Sequence, residues 1–459
     1  MKKSLTIAVK NVAAALNTIF KEEHLMAIID VKKILMDEIQ KLTSRKDDFV
    51  KNPGKDFSRK RKISFSDVIS NLISMEAGSI RSELLEYFSF SSDSPTTSAF
   101  IQQRDKVSQN AFEALFYSFT DAIYPANESG AYHFFAVDGS KVNIPMIIDS
   151  DEDYTYFSRE DQCSFSQIHV DAIYDLDNLL YKGISFCPRK QNNEREAFHS
   201  MLDKLSFPQK SVFIFDRGYE GYALMAHVSS QNQYFVIRAK DRKSGGIING
   251  IPTPDTEQYD FIYDKIFVHR MKKAYKEHPE RYHATHRTKS PYFLNSETKE
   301  YQMSFRVCRF KLDNGSYECL LTNLPPEEFN LNALKEIYHM RWGIETSFRY
   351  LKYTVGLNDF HTKKEEGIKQ ELWARLIMFN FCSKISKTVP HKEKTEKYEW
   401  TINFTNLALL CRKVLILGSE QIPAIEVLIS KVISPVRPER NNPRNKKRRR
   451  PSSFNYKRR

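Results

Sequence analysis

No uninterrupted apolar run in this 459-residue chain approaches the ~20 residues that a membrane-crossing helix needs. No membrane partner is therefore expected, although the apolar fraction of 41% is ordinary for a globular chain. The start, Met-Lys-Lys-Ser-Leu-Thr-Ile-Ala-Val-Lys, has only a short apolar stretch and no cleavage site. No signal peptide is read there, and a cytoplasmic location is expected. Cysteine is scarce and scattered: Cys163, Cys187, Cys308, Cys319, Cys382 and Cys411 lie far apart with no Cys-x-x-Cys pair. That spacing argues against a disulfide frame or a cysteine zinc site and predicts buried free thiols. Tryptophan is limited to Trp342, Trp373 and Trp400, and Trp342 and Phe348 are expected in the core.

Acidic residues are nearly missing from the C-terminal end. From Arg437 to Arg459, eleven Lys and Arg stand against Glu439, a net of +10 within the formal +13 of the chain. The rest carries 59 basic and 56 acidic residues, a net of only +3. Such a tail favours nucleic acid by counterion release without reading sequence.

Residues 1 to about 125 read as mostly helical, with apolar residues at helical spacing through Val12–Phe20, Leu25–Leu42 and Ile80–Phe88. The stretch Arg45–Lys62, with Asn-Pro-Gly and the run Arg59-Lys60-Arg61-Lys62, reads as a loop. Pro95-Thr96-Thr97-Ser98 predicts a helix start ahead of Ala99–Val107. A helix-turn-helix there would turn Gln102, Gln103, Arg104 and Lys106 toward DNA.

From His133 the pattern changes to strand, strand, strand, helix, strand, helix, strand. Phe134–Asp138, Ile168–Tyr174, Leu179–Phe186, Val212–Asp216 and Tyr234–Arg238 read as strands, with helices at Glu194–Leu205 and Tyr222–Ser229. Asp138 and Asp216 are each expected to close a buried strand. Roughly 90 residues then precede a helix beginning near Asn332, and a structureless loop of that length is not expected in a compact domain. Alternating runs at Tyr259–His269 and Tyr301–Phe310 predict a β-rich insertion instead. Further helices are expected at Gly367–Ile385 and Ile402–Leu417.

On the helix after the insertion, Tyr338, Arg341, Glu345 and Lys352 are spaced by three, four and seven. At about 100° per residue they fall within an arc of roughly 60°. One carboxylate, two cations and a phenol on one stripe suit a phosphate backbone held beside a metal. Three acids from separate elements (Asp138, Asp216 and Glu345) would repel one another unless a cation bound between them. Mg²⁺, which takes oxygen ligands and shares substrate phosphates, fits that set, with Mn²⁺ as a substitute. Two such ions can assist an in-line displacement at phosphorus. Arg341 can grip phosphate oxygens in a fork, Lys352 adds a point charge and Tyr338 a hydroxyl.

Other clusters read more plainly. Asp149, Asp151, Glu152 and Asp153 read as a solvated acidic loop, and His169 as a core or near-site residue. His278, His283 and His286 lack the framework of a zinc site.

Val137-Asp138-Gly139, Phe215-Asp216-Arg217-Gly218-Tyr219 and the Tyr-x2-Arg-x3-Glu-x6-Lys stretch together resemble the DDE transposases of bacterial insertion sequences. The match is closest to the insertion-sequence-four group, whose YREK signature has this spacing, and Leu321-Thr322-Asn323-Leu324-Pro325 adds to it. The resemblance runs from about Ala131 to Leu357. It implies an α/β ribonuclease-H-like catalytic core with an inserted β-rich subdomain, flanked by helical regions. It also implies Mg²⁺-dependent cutting and joining of transposon ends by a cut-and-paste route, in a bacterial, nucleoid-associated setting. Asp138, Asp216 and Glu345 would be the metal-binding catalytic triad, and Tyr338, Arg341 and Lys352 would hold DNA. The partners would be double-stranded DNA (terminal inverted repeats and target) and a second copy of the chain on that DNA. Some relatives trap a flipped base with a tryptophan in the insertion. This insertion has no tryptophan, and Tyr259, Tyr263, Tyr275, Tyr282 or Tyr292 could stack on a base instead.

The expected division is 1–125 helical DNA-binding region, 126–240 core, 241–328 insertion, 329–390 core with the Glu helix, 391–436 helices and 437–459 tail. Alternatives to a transposase are a metal-dependent nuclease without strand transfer and a non-catalytic transposase-derived DNA-binding protein. Removal of residues 437–459 is expected to weaken binding to all DNA sequences alike and to flatten its salt dependence. A titration at two salt concentrations with cognate and random duplexes checks this, and a loss confined to the cognate duplex contradicts it.

Overall fold

A computed structural model describes residues 28–125, 131–146, 154–158, 163–242, 244–285, 291–388, 399–418, 422–435 and 455–456. The expected helix at Val12–Phe20, the acidic cluster at 149–153, His286 and most of the basic tail lie outside these residues.

The N-terminal part is helical: α1 over 28–44, α2 Phe65–Ser74, α3 Ile80–Tyr87, α4 Thr97–Arg104 and α5 Gln109–Ile123. Local chemistry sets the starts. Ser64 and Asp67 form a reciprocal capping box at α2, and the Thr96 hydroxyl accepts from Ala99 N–H at α4. Ser108 caps α5, whose Phe112, Leu115, Phe116 and Phe119 are buried at helical spacing.

The centre is a mixed α/β unit. Its strands are β1 His133–Ile144, β2 Thr155–Ser158, β3 Cys163–Asp175, β4 Leu180–Pro188, β5 Ser211–Phe215 and β6 Tyr234–Ala239. Helices α6 Glu194–Lys204 and α7 Tyr222–Ser230 flank β5 in sequence. Then come β7 Tyr259–Val268, the turn-length α8 Lys273–Lys276, β8 Tyr282–Ala284, β9 Glu300–Lys311 and β10 Tyr317–Thr322. One ten-stranded sheet runs β2-β3-β1-β5-β6-β10-β9-β7-β8, with β4 also paired to β3. β1, β5 and β6 are parallel to one another, whereas β3 is antiparallel to β1 and β10 to β6. Every residue of β5 is buried, which explains its unbroken Val-Phe-Ile-Phe run: a central parallel strand is covered on both faces. The order β4-β3-β1-β5-β6 fits a ribonuclease-H-like core.

The strands between 241 and 328 extend this sheet instead of forming a separate one. β10 bonds directly to β6, from Cys319–Ala239 to Thr322–Val236, and β9 and β7 follow outward. Tyr259 and Tyr263 are thereby buried at 6% and 5% exposure, so neither ring is open to a base. The Tyr292 ring is stacked on His227, centroids 3.6 Å apart. Tyr275 and Tyr282 pack against each other.

After the sheet come α9 Leu331–Met340, α10 Trp342–Tyr353, β11 Asp359–Phe360, α11 Glu365–Thr388, β12 Trp400–Ile402, α12 Phe404–Ile416, α13 Ile422–Lys431 and β13 Ile433–Pro435. A last short strand, β14 Asn455–Tyr456, pairs parallel with β11. The stretch expected as one helix is thus two, meeting at Arg341. There Arg341 N–H bonds Tyr338 O and Ile344 N–H bonds Arg341 O, a tighter i to i+3 pattern.

α11 is the scaffold's spine, buried through most of its length. Its Asn380 accepts from Tyr181 N–H and donates to Tyr181 O, both at 2.9 Å, and so seals β4. Arg104 at the end of α4 donates to Glu371 Oε1 at 2.7 Å, Gln370 Oε1 at 2.9 Å and Gly367 O at 2.6 Å. This overturns the DNA-facing expectation for Arg104 and Gln103, which are buried at 3% and 5% exposure. Gln102 remains exposed, while Lys106 lies over the Phe57 ring.

Burial raises the Glu371 pKa, but Arg104, His361 and Arg375 outweigh it and hold the carboxyl at about 2. A depressed carboxyl contributes stability that is complete above its unfolded value of 4.5 and is lost as pH falls toward about 2. Arg104→Ala would take the ion-pair partner from buried Glu371, leaving it His361 and the Arg375 charge, and is expected to cost about 3 kcal/mol, short of the full penalty for an unpaired buried charge. Urea unfolding at pH 7 checks this, and an unchanged midpoint contradicts it.

Candidate active site

The site begins with strand register. The parallel pairing of β1 with β5 ends at Val137–Phe215, so the next residues, Asp138 and Asp216, emerge on adjacent strands. Asp216 follows the last residue of β5 and so closes it. Asp138 does not close a strand, contrary to the sequence expectation. β1 continues to Ile144 because β3 still pairs with it through Asp138–Ala172 and beyond. What ends at Asp138 is pairing with β5, and that places the carboxylate, still half-buried, at the sheet's switch point.

Glu345 comes from the first turn of α10. Lys352, two turns on, donates to Ser140 Oγ and Lys141 O of β1, both at 2.7 Å, and so docks α10 beside Asp138. Arg341 Nη2 lies 2.9 Å from Glu345 Oε1, while the Tyr338 hydroxyl donates to Asp216 Oδ1 at 3.3 Å. All six residues singled out in the sequence therefore meet in one region. Trp342 departs from expectation. It is 47% exposed, with the Arg341 guanidinium 5.1 Å from its ring centroid, because the break at Arg341 turns it outward. Phe348 is buried as expected.

Burial pushes the Asp138 carboxyl up to about 6, and the charges of Glu345 and Asp216 add to the rise. Gly139 N–H and Arg341 oppose it without cancelling it. Burial likewise pushes the Lys352 ammonium down to about 8, although the Asp138 charge works against that shift. The guanidinium of Arg341 keeps its Nε buried without a hydrogen-bond partner. Three all-oxygen donors of like sign, one partly buried, fit a hard divalent cation.

Their oxygens are not drawn into a tight cluster, since Glu345 is held by Arg341. Among the described residues, the three side chains whose donor atoms all lie within 4.8 Å of one another are His169, Asp171 and Glu194. His169 fits the near-site expectation, but sequence reasoning missed Asp171 and Glu194. The His-x-Asp alternation on a strand was the available signal. Also missed was the Arg238–Glu318 ion pair at 2.8 Å, whose members act electrostatically on Tyr338. His278 and His283 do not converge. His278 pairs with Glu280, and His283 lies 2.8 Å from the Tyr263 hydroxyl.

A carboxyl whose folded pKa is raised loses stability as pH climbs from its unfolded 3.8 to about 6. Asp138→Asn is therefore expected to raise the melting temperature in EDTA at pH 7.5. Added Mg²⁺ should raise that of the unsubstituted protein by several degrees and the variant's by less. Thermal scans with and without Mg²⁺ check this; equal Mg²⁺ shifts in both proteins contradict it.

Residues 130–381 match the family described as Transposase DDE domain. Over 66 residues the chain is 32% identical to the putative transposase InsL for insertion sequence element IS186A of Escherichia coli K12, covering 14% of this chain. The transposase for insertion sequence element IS421 of Escherichia coli matches to the same extent. The matched segment spans 18% of the length of these curated relatives. A solved piggyBac transposase synaptic complex with hairpin DNA is 10% identical at a TM-score of 0.44, covering 87% of this chain and 81% of that one. Among the described residues no helix is long and apolar enough to cross a membrane. With more than half its length matched, this chain belongs to the Transposase DDE domain family.

Proposed function

We propose that this protein is a transposase that binds the ends of its own insertion sequence and catalyses strand cleavage and strand transfer by a cut-and-paste route. The observation that carries the reading is the emergence of Asp138 and Asp216 side by side where β1 leaves β5, with the Glu345 helix tied to β1 through Lys352. The Tyr-x2-Arg-x3-Glu-x6-Lys spacing supports a relation to the insertion-sequence-four group.

Asp138, Asp216 and Glu345 would hold Mg²⁺, or Mn²⁺ in its place. The bound metal supplies activation of the attacking oxygen and stabilisation of the leaving oxygen at phosphorus. The chain's own groups do the rest. Tyr338 orients the Asp216 carboxylate through its hydroxyl. Arg341, buried and with Nε to spare, can turn that donor to a phosphate oxygen. Lys352, with its pKa near 8, is still mostly protonated at neutral pH and adds charge beside Asp138. Joining two transposon ends calls for two copies of the chain on DNA, and the basic tail adds sequence-independent affinity for terminal and target duplexes.

Incubation of the protein with its element ends, a target plasmid and Mg²⁺ is expected to give both nicked ends and strand-transfer products. Asp138→Ala, Asp216→Ala or Glu345→Ala should abolish both while leaving end binding intact. Arg341→Ala should lower the cleavage rate by about 10²–10³-fold, as when one transition-state donor is lost. Cleavage without joined products would indicate a nuclease. Binding without nicking at any Mg²⁺ or Mn²⁺ concentration would indicate a DNA-binding protein alone.

A further inference from the structure

Behind the Asp138 strand, β3 and the start of α6 bring together a second set of donors. His169 Nε2 lies 3.0 Å from Asp171 Oδ1 and 3.5 Å from Glu194 Oε1. His169 and Asp171, two residues apart on β3, share one face of the sheet, and Glu194 is the first residue of α6. Around an ion bound at about 2.1 Å, neighbouring ligand atoms lie about 3.0–3.4 Å apart, so the three atoms are already near coordination spacing. His169 and Asp171 side chains are 2% and 1% exposed, whereas Glu194 is 33% exposed and gives access from solvent.

Two further observations point to a ligand. Asp171 Oδ2 and the Tyr219 hydroxyl are buried without hydrogen-bond partners. Burial, then the charges of Asp171, Glu194, Asp138 and Asp216, hold the Tyr219 pKa far above its ordinary value, so the phenol feels both carboxylate sets. Gly139, the β1 partner of Asp171, leaves the room. A Cβ there would collide with His169 Nε2 and lie 2.9 Å from Glu194 Oε1. Its φ is not positive, so it is the cluster, and not the backbone, that requires a glycine after Asp138.

We propose that His169, Asp171 and Glu194 form a site for a divalent transition-metal cation, distinct from the Asp138–Asp216–Glu345 set and preferring Mn²⁺ to Mg²⁺. The imidazole nitrogen sets the preference: it suits borderline transition metals, whereas Mg²⁺ favours oxygen donors. An ion there joins β3 to the start of α6. Glu194 and its neighbour Arg195 adjoin Gly218 of the turn after Asp216, so the ion braces the backbone behind both aspartates. The site stands whether or not the chain transposes DNA.

Pulsed electron paramagnetic resonance on the full-length protein loaded with Mn²⁺ tests this directly, because the other carboxylate set offers no nitrogen. Imidazole nitrogen modulation is expected, retained in the Asp138→Asn/Asp216→Asn/Glu345→Gln protein and lost in His169→Gln. A wild-type spectrum without nitrogen modulation overturns the proposal, since His169 would then be only hydrogen-bonded to the carboxylates. So does modulation that survives His169→Gln or vanishes in the triple variant. Should His169→Gln fail to fold, Glu194→Gln, partly exposed, replaces it. That variant should bind the nitrogen-coordinated Mn²⁺ about 10–100-fold more weakly by titration calorimetry, and unchanged affinity overturns the proposal.

Discussion

The parallel pairing of β1 with β5 fixes where Asp138 and Asp216 stand in this fold. Its last matched residues, Val137 and Phe215, are both fully buried, and a slip of one residue in β5 would force Phe213 and Phe215 into the packing that Val212 and Ile214 fill on the opposite face. The register is therefore held by the core, and the two carboxylates that follow inherit their positions from it. Lys352 adds the third element by bonding Ser140 and Lys141 on the same β1. Burial of Val-Phe-Ile-Phe in β5 and the aim of Asp216 are consequences of one packing choice.

Electrostatics gives that geometry its purpose. Asp138, Asp171, Asp216 and Glu194 all raise the pKa of one buried phenol, Tyr219, in addition to burial. Glu345 lies against Arg341, and Lys352 is itself held low by burial. The fold gathers these carboxylates around the strand ends, and burial disfavours the charged form of Asp138. A surface would let water screen such charges; here burial of Asp138 prevents it. The surrounding frame holds a matched buried pair at Arg104 and Glu371, and Asn380 satisfies the Tyr181 backbone of β4 from α11.

Much of the central α/β unit was legible in the sequence because its elements announce themselves locally. Buried strands read as apolar runs, and Asp138, Asp216, Tyr338, Arg341, Glu345 and Lys352 carry a spacing that survives even though the helix breaks at Arg341. What depended on tertiary contact was not legible. Arg104 and Gln103 looked like polar residues on an exposed helix, yet α11 covers them with Glu371 and Gln370. Trp342 looked like core, but the tight turn at Arg341 swings it outward. The β-rich run after Tyr234–Ala239 was visible as strands. Its edge pairing, which makes β10 the neighbour of β6, depends on a register no local pattern encodes. The His169–Asp171–Glu194 cluster joins residues from a strand and a helix 23 positions apart, so only the His-x-Asp half could have been noticed.

The central claim is that Asp138, Asp216 and Glu345 bind a common metal ion. Anomalous scattering from Mn²⁺ in crystals of the protein bound to its element end measures it most directly. The predicted result is a peak about 2.0–2.2 Å from at least one carboxylate oxygen of each aspartate, with Glu345 brought to the same ion or to one beside it. Ordered DNA with no Mn²⁺ peak at these three residues would contradict the claim.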